Sequence, residues 1–334
     1  MAGRKTESNN AAQGETTMET YTVSQFTKDL RVEGFLLVRS SDQRTGSNGS
    51  RYLDMNLTDR TGEINCKMWD GNVAPPPAGT VVKVRGTVQE YNGRLQLRVE
   101  RLRAAVEADQ VDLTKLVPCA PEAPDAMRAE IDATVDRFES EDLKKIVREM
   151  LRLAGDRLAW FPAAQRLHHA ERSGLLHHTV GMLRLAERVI ESYPLLHGDL
   201  LRAGVILHDL SKITEMKSDE MGNVTDYTRD GLLIGHLVRG VATLAEAARN
   251  VGVSGEIVVL LEHMIISHHG EMEYGSPRAP MFPEAEALHW IDTLDARMNE
   301  MQGIMDRVPA GAFSEKIWSL DRRLYHPRYE DGAE

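Results

Sequence analysis

A small β domain followed by an all-α domain is the fold class this sequence predicts. Three observations carry it. From Val32 to Arg103 the apolar residues recur with a period of two, the spacing of half-buried strands. From residue 125 onward the period is 3.6, the spacing of amphipathic helices. Between them, residues 106–124 are rich in proline and acidic residues and read as a linker. At 334 residues the chain also exceeds one ordinary core, so two domains are expected.

Residues 1–20 (MAGRKTESNNAAQGETTMET) are polar and read as a disordered tail; without an apolar segment they are no secretory signal. The β domain is placed at residues 21–105. VEGFLLVRS is its first strand, and SNGSRYLDMNL turns into the second. Thr58 to Gly62 makes a tight turn into EINCKMW, the third. Pro75-Pro76-Pro77 interrupts the chain before TVVKVRGTVQE, and Tyr91-Asn92-Gly93 forms a hairpin into RLQLRVERL. Five short strands suit a small closed barrel, for which the OB-fold is the commonest choice; an SH3-like barrel or a small sandwich has similar length. The run YLDMNLTDRTGEINCKMW resembles nucleic-acid-binding OB domains. After the linker, helices are expected over 125–138, 141–153, 174–192, 198–211, 230–250, 254–269 and 283–306, and the all-α domain is placed at 125–328.

The formal charge of −11 argues against a nucleic-acid binder until its distribution is considered. Residues 21–103 hold 13 Lys and Arg against 9 Asp and Glu, a balance of +4 that leaves −15 elsewhere. The β domain is therefore basic, and the helical remainder is suited to divalent cations. No run of eighteen apolar residues exists; the greasiest stretch, Ile257 to Ile266, is broken by Glu262 and His263, so a membrane span is not expected. Two cysteines, Cys66 and Cys119, make no disulfide framework and suit a reducing cytoplasm.

Eleven of the 12 histidines fall between His168 and His289. In LLRAGVILHDLSK, a helix apolar almost all round ends on His208-Asp209. Burying a carboxylate beside an imidazole is costly unless the two are paired or bind a metal. Lys212 lies four residues after His208 and three after Asp209, hence on roughly the same face, where it would suit a phosphate. A single His-Asp dipeptide is more often an internal hydrogen bond. Here His178, His236, Asp292 and the pair His268-His269 are each embedded in, or end, an apolar helical stripe. Several helices offering inward His and Asp is how helical bundles build metal sites.

The order H…HD…H…HH…D, in the segments HHAERSGLLHHTVGM, LLRAGVILHDLSKITEM, LLIGHL and ISHHGEMEYGSPRAPMFPEAEALHWIDTLDARMN, resembles the HD-domain metal-dependent phosphohydrolases. It looks specifically like the YhaM-type 3′→5′ exoribonucleases, which also carry an N-terminal OB-fold, so the likeness runs from about Tyr21 to Pro327. His177 departs from it, standing where an acidic residue is expected before the first metal histidine.

The resemblance implies one ion held by His178, His208, Asp209 and Asp292, with Asp209 bridging to a second held by His236 and by His268 or His269. Imidazole and carboxylate ligands suit Mn²⁺, taken first, and also Fe²⁺, Co²⁺ or Zn²⁺. Asp209 and Lys212 are the expected catalytic residues, and metal-activated water would release nucleoside 5′-monophosphates from single-stranded RNA, with single-stranded DNA a second acceptable strand. His168 and His169 resemble family positions near the substrate entrance. On the barrel, Phe35, Tyr52, Trp69 and Tyr91 are candidates to stack on bases, with Lys83, Arg85 and Arg94 among the basic residues beside them. Assembly into a homo-oligomer stays open. The competing readings are a phosphohydrolase of free or signalling nucleotides with a regulatory barrel, and a nucleic-acid-binding protein with a spent catalytic scaffold.

Overall fold

The computed structural model describes residues 21–46, 49–70 and 72–329; the expected tail over 1–20 lies outside them. The chain divides into two compact units between Leu116 and Val117.

The first unit is built on β1 (Arg31–Thr45), β2 (Arg51–Asp59), β3 (Gly62–Met68), β4 (Val81–Tyr91) and β5 (Arg94–Ala104). They close into a barrel in the order β1-β2-β3-β5-β4. All neighbours are antiparallel except β3 and β5, which run parallel where Asn65–Lys67 lies beside Gln96–Arg98. This is a five-stranded OB barrel. Strand alternation sends Leu53, Met55 and Leu57 of β2, Ile64 and Cys66 of β3, and Val82, Val84 and Val88 of β4 into the core. Each such aliphatic side chain contributes about 1.5–3 kcal/mol when fully buried. The β2–β3 turn is held by Asp59, whose carboxylate accepts from the backbone N–H groups of Val23 (2.7 Å), Thr61 (2.7 Å) and Gly62 (3.1 Å).

The second unit is helical: α1 (Pro124–Asp136), α2 (Glu141–Ala154), α3 (Gly174–Ser192), α4 (Gly198–Leu207), α5 (Lys212–Glu215), α6 (Arg229–Leu233), α7 (Gly235–Asn250), α8 (Glu256–Ser267) and α9 (Pro283–Met305). Helix α4 is the hub. It packs against α2, α3, α8 and α9, and Leu200, Leu201, Ala203, Val205, Ile206 and Leu207 are all buried. That placement explains why its sequence is apolar on nearly every side.

Three expectations need correction. The helix expected over 198–211 stops at Leu207, and the single turn α5 follows. The helix expected over 230–250 is two helices, because Gly235 takes a left-handed conformation (φ +76°) that breaks the ladder. The all-α domain also carries a small hairpin, β6 (Met216–Ser218) with β7 (Val224–Tyr227). Its turn is made by Asp219, which accepts from the N–H groups of Met221 and Asn223. Among the described residues no helix is long and apolar enough to cross a membrane, and Cys66 and Cys119 are not disulfide-bonded.

Candidate metal centre

The helical unit brings His178 from α3, His208 and Asp209 from the end of α4, His236 from the first turn of α7, His268 and His269 from the end of α8, and Asp292 from α9 to one place. Asp209 sits between two sets of imidazoles. Its Oδ1 lies 3.5 Å from His236 Nε2 and 3.6 Å from His268 Nε2. Its Oδ2 lies 3.3 Å from His208 Nε2, 4.0 Å from His178 Nε2 and 2.7 Å from Lys212 Nζ. Asp292 Oδ1 is 3.2 Å from His178 Nε2. His269 joins His236 and His268, with its ring centroid 5.2 Å and 4.4 Å from theirs.

The backs of these imidazoles are already engaged. His178 Nδ1 donates to Asp295 Oδ2 at 2.7 Å, and His208 Nδ1 donates to the Val205 carbonyl at 2.8 Å. His268 Nδ1 donates to the Ile265 carbonyl at 2.8 Å, and His236 Nδ1 to the Glu215 carboxylate at 3.0 Å. Each proton therefore sits on Nδ1, and each Nε2 faces inward, those of His208, His236 and His268 towards Asp209 and that of His178 nearer to Asp292. Carboxylate or carbonyl partners behind a metal-binding histidine fix its orientation and tautomer in this way.

The inward atoms are left without partners. Among the described residues, seven buried side-chain polar atoms have no hydrogen bond, and five are His178 Nε2, His208 Nε2, Asp209 Oδ1, His236 Nε2 and His268 Nε2. A buried unsatisfied polar atom costs about 1–3 kcal/mol. Five together approach the whole net stability of a domain, about 5–15 kcal/mol. Divalent cations would convert all five into bonds, so the donor set fits such ions.

The electrostatics agree. Burial opposes the Asp209 charge, but Lys212 and His208 outweigh it and hold the carboxyl well below its usual range. Burial keeps His268 down, and it lowers His269 to about 3 with help from His268. Neutral imidazoles and ionised carboxylates are the forms that bind metals. Burial would also lower His178, yet the Asp292 and Asp295 carboxylates raise it to about 9, which shows how strongly this position calls for positive charge.

A cavity of about 740 Å³ opens onto the cluster, lined by Asp209, Lys212, His268, His269 and Asp292, together with His168 and Trp290. Its size suits a nucleotide-sized group. His168 lines this cavity, its ring centroid 5.5 Å from that of His178. His169 does not. It is 4% exposed, donates from Nε2 to Asp295 Oδ2 at 2.7 Å and faces His177, so it supports the cluster from behind and cannot reach a bound strand.

Sequence reasoning missed the two carboxylates behind the cluster, Asp295 and Glu215. The available signal was spacing: Asp295 follows Asp292 by three residues on α9, and Glu215 follows Lys212 by three. Gly181 is the third requirement. A β-carbon there would lie 2.5 Å from Asp295 Oδ1, so only glycine lets α9 bring this carboxylate against α3.

On the barrel, Tyr52 and Trp69 stack with centroids 4.7 Å apart, and Lys67 Nζ lies 5.2 Å from the Tyr52 ring and 5.9 Å from the Tyr91 ring. Trp69 and Tyr91 are 55% and 63% exposed. This group spans β2, the end of β3 and the β4–β5 hairpin, which is the face OB-folds use for oligonucleotides; Arg94 follows on the hairpin. Phe35, Lys83 and Arg85 have other company: Lys83 Nζ lies 5.7 Å from the Phe35 ring and 3.4 Å from Glu33, and Arg85 faces Glu100 at 4.0 Å. Nearby carboxylates offset the charge of these two basic residues.

Barrel order and His/Asp cluster together define the class, an OB-fold barrel joined to an HD-type metal-binding helical domain. Residues 31–105 match the OB-fold nucleic acid binding domain family, and residues 175–297 match the HD domain family. The chain is 40% identical over 303 residues to the 3′-5′ exoribonuclease YhaM of Listeria innocua, covering 90% of this chain and 96% of the relative. It is 38% identical over 301 residues to that of a Geobacillus species, covering 89% and 91%. This chain belongs to the YhaM 3′-5′ exoribonuclease family.

Proposed function

We propose that the protein removes nucleotides from the 3′ end of single-stranded RNA, releasing nucleoside 5′-monophosphates, with two divalent ions held on its buried His/Asp cluster. The observation that carries this reading is the convergence of four partnerless buried imidazole nitrogens around one aspartate whose own Oδ1 is also without a partner. His178, His208, Asp209 and Asp292 would hold one ion. His236, with His268 or His269, would hold the other, and Asp209 would bridge through its two oxygens, which already face the two sets separately. Bound divalent ions supply Lewis acidity, activating water and neutralising phosphate charge; Mn²⁺ suits this mixed donor set, as do Fe²⁺, Co²⁺ and Zn²⁺.

The chain's own residues do the rest. Lys212 is fixed by its 2.7 Å contact with Asp209 and lines the same cavity, so it presents a positive charge to a non-bridging phosphate oxygen. His168 lines the cavity, where burial and the nearby Lys212 lower its pKa to about 3. It meets the substrate as a neutral imidazole. Tyr52, Trp69 and Tyr91 with Lys67 would stack on successive bases and draw in the backbone. The 3′→5′ direction is supported by the family. A cytoplasmic place of action fits two cysteines that form no disulfide.

Product analysis tests this reading. A 5′-labelled single-stranded RNA with Mn²⁺ should give a descending ladder and 5′-mononucleotides, while free nucleoside triphosphates stay intact. Rapid hydrolysis of the free nucleotides with the strand untouched would favour the nucleotide phosphohydrolase instead.

A further inference from the structure

Behind the cluster lies a second set of metal-type donors that the proposed reaction does not use. His169, Glu171 and His177 each bring one ligand atom within 4.8 Å of the others. Glu171 Oε1 is 2.7 Å from His177 Nδ1 and 3.7 Å from His169 Nδ1, and the two Nδ1 atoms are 3.2 Å apart. Bonds of 2.0–2.1 Å in a tetrahedral arrangement put neighbouring donors about 3.3 Å apart. The three observed edges, from 2.7 to 3.7 Å, lie on either side of that length.

The donors are also prepared for the role. His169 gives its Nε2 proton to Asp295 at 2.7 Å, which leaves a lone pair on the Nδ1 that faces the triangle. Its backbone is pinned in a left-handed conformation (φ +49°), uncommon for a residue other than glycine. Its N–H donates to Asn299 Oδ1 at 2.8 Å. His169 therefore cannot turn away. Burial opposes charge on Glu171, but the neighbouring His169 and the 2.7 Å hydrogen bond from His177 lower its pKa to about 2, so it is a carboxylate. The side chains of His177 and Glu171 are 24% and 20% exposed, so an ion and a water can arrive from solvent. The same arrangement accounts for His177, which stands where an acidic residue was expected: the carboxylate is supplied by Glu171 instead.

We propose that His169, Glu171 and His177 bind a further transition-metal ion of the Zn²⁺ class, separate from the ions of the catalytic cluster. Two imidazoles, one carboxylate and a fourth position open to water make a donor set that such ions prefer. The site is joined to the catalytic cluster by Asp295, whose Oδ2 accepts from both His169 Nε2 and His178 Nδ1 at 2.7 Å. An ion on His169 would fix the carboxylate that aims His178.

The test counts ions. Full-length protein is dialysed to equilibrium against Zn²⁺, and metal per chain is measured for the wild type, Glu171→Gln and His177→Phe, with circular dichroism confirming each fold. Either variant should bind one ion fewer than the wild type. A second measurement uses Co²⁺ in Asp209→Ala, where the catalytic cluster is crippled but the three donors remain. Its absorption should show a low-coordinate cobalt signal that Asp209→Ala with Glu171→Gln lacks. Should both single variants misfold, the cobalt spectrum of Asp209→Ala alone decides, and a spectrum with no low-coordinate signal would overturn the proposal. Equal ion counts in wild type and folded variants, or identical cobalt spectra with and without Glu171, would overturn the proposal and leave the triangle as a hydrogen-bond network.

Discussion

Replacing Asp295 by asparagine isolates the carboxylate that aims His178. Asp295 Oδ2 accepts from His178 Nδ1 and His169 Nε2, each at 2.7 Å. Hydrogen bonds to a charged group contribute about 1.5–3 kcal/mol, and neutral ones about 0.5–1.5 kcal/mol. The asparagine carbonyl can still accept from His178, but without the charge, so the loss at His178 is about 1–2 kcal/mol. That corresponds to roughly 5–30-fold in metal affinity, overlapping the 10–100-fold loss typical when a partner behind a metal histidine is removed. The assay is calorimetric titration of metal-free protein with Mn²⁺, alongside RNA hydrolysis rates over a range of Mn²⁺ concentrations. The variant should lose activity at limiting metal and regain most of it at excess. Gly181→Ala should reproduce the defect, because its methyl would lie 2.5 Å from Asp295 Oδ1 and must displace it. Unchanged affinity in Asp295→Asn would refute the reasoning, as would activity lost at saturating metal with affinity intact.

Asp209→Ala should reduce RNA hydrolysis by more than about 100-fold while circular dichroism stays native, because a buried carboxylate lacking its cation adds little stability; residual turnover above a tenth of wild type with metal still bound would contradict its bridging role. Lys212→Ala should leave metal content unchanged and lower kcat by about 10²–10³-fold, the loss seen when one preorganised charge stabiliser is removed; a parallel loss of metal would make Lys212 structural. Trp69→Ala should raise KM for long strands by the equivalent of about 1–3 kcal/mol per lost stack and leave a small activated phosphodiester unaffected. Equal losses on both substrates would remove the barrel from strand binding.

Much of this was legible because it follows from periodicity. Alternation over YLDMNL and EINCKMW placed β2 and β3, and the Asp59–Gly62 turn between them is made by the short polar residues that favour turns. His178, His208 and Asp209 stood out because each interrupts an apolar helical stripe, where an imidazole or carboxylate needs a reason to be buried. Asp295 and Glu215 did not stand out. Acidic residues are common on exposed helix faces, and only the three-dimensional approach of α9 to α3, permitted by Gly181, turns Asp295 inward. His169 was misplaced because its burial comes from a long-range contact with Asp295 and Asn299, 126 and 130 residues away. Lys83 and Arg85 looked like strand contacts, and the strand pairings that set Glu33 and Glu100 beside them are not visible in a linear pattern.

The central claim is that the buried cluster, loaded with divalent ions, hydrolyses RNA from a 3′ end. It is tested most directly by stripping the protein of metal with a chelator and restoring Mn²⁺ stepwise. Linear and covalently circular RNA of one sequence serve as paired substrates. Hydrolysis of the linear strand should appear only as Mn²⁺ fills the protein, the circle should survive, and Asp209→Ala should cleave neither RNA. Cleavage of the circle, or undiminished cleavage of the linear strand by the metal-free protein, would contradict the account.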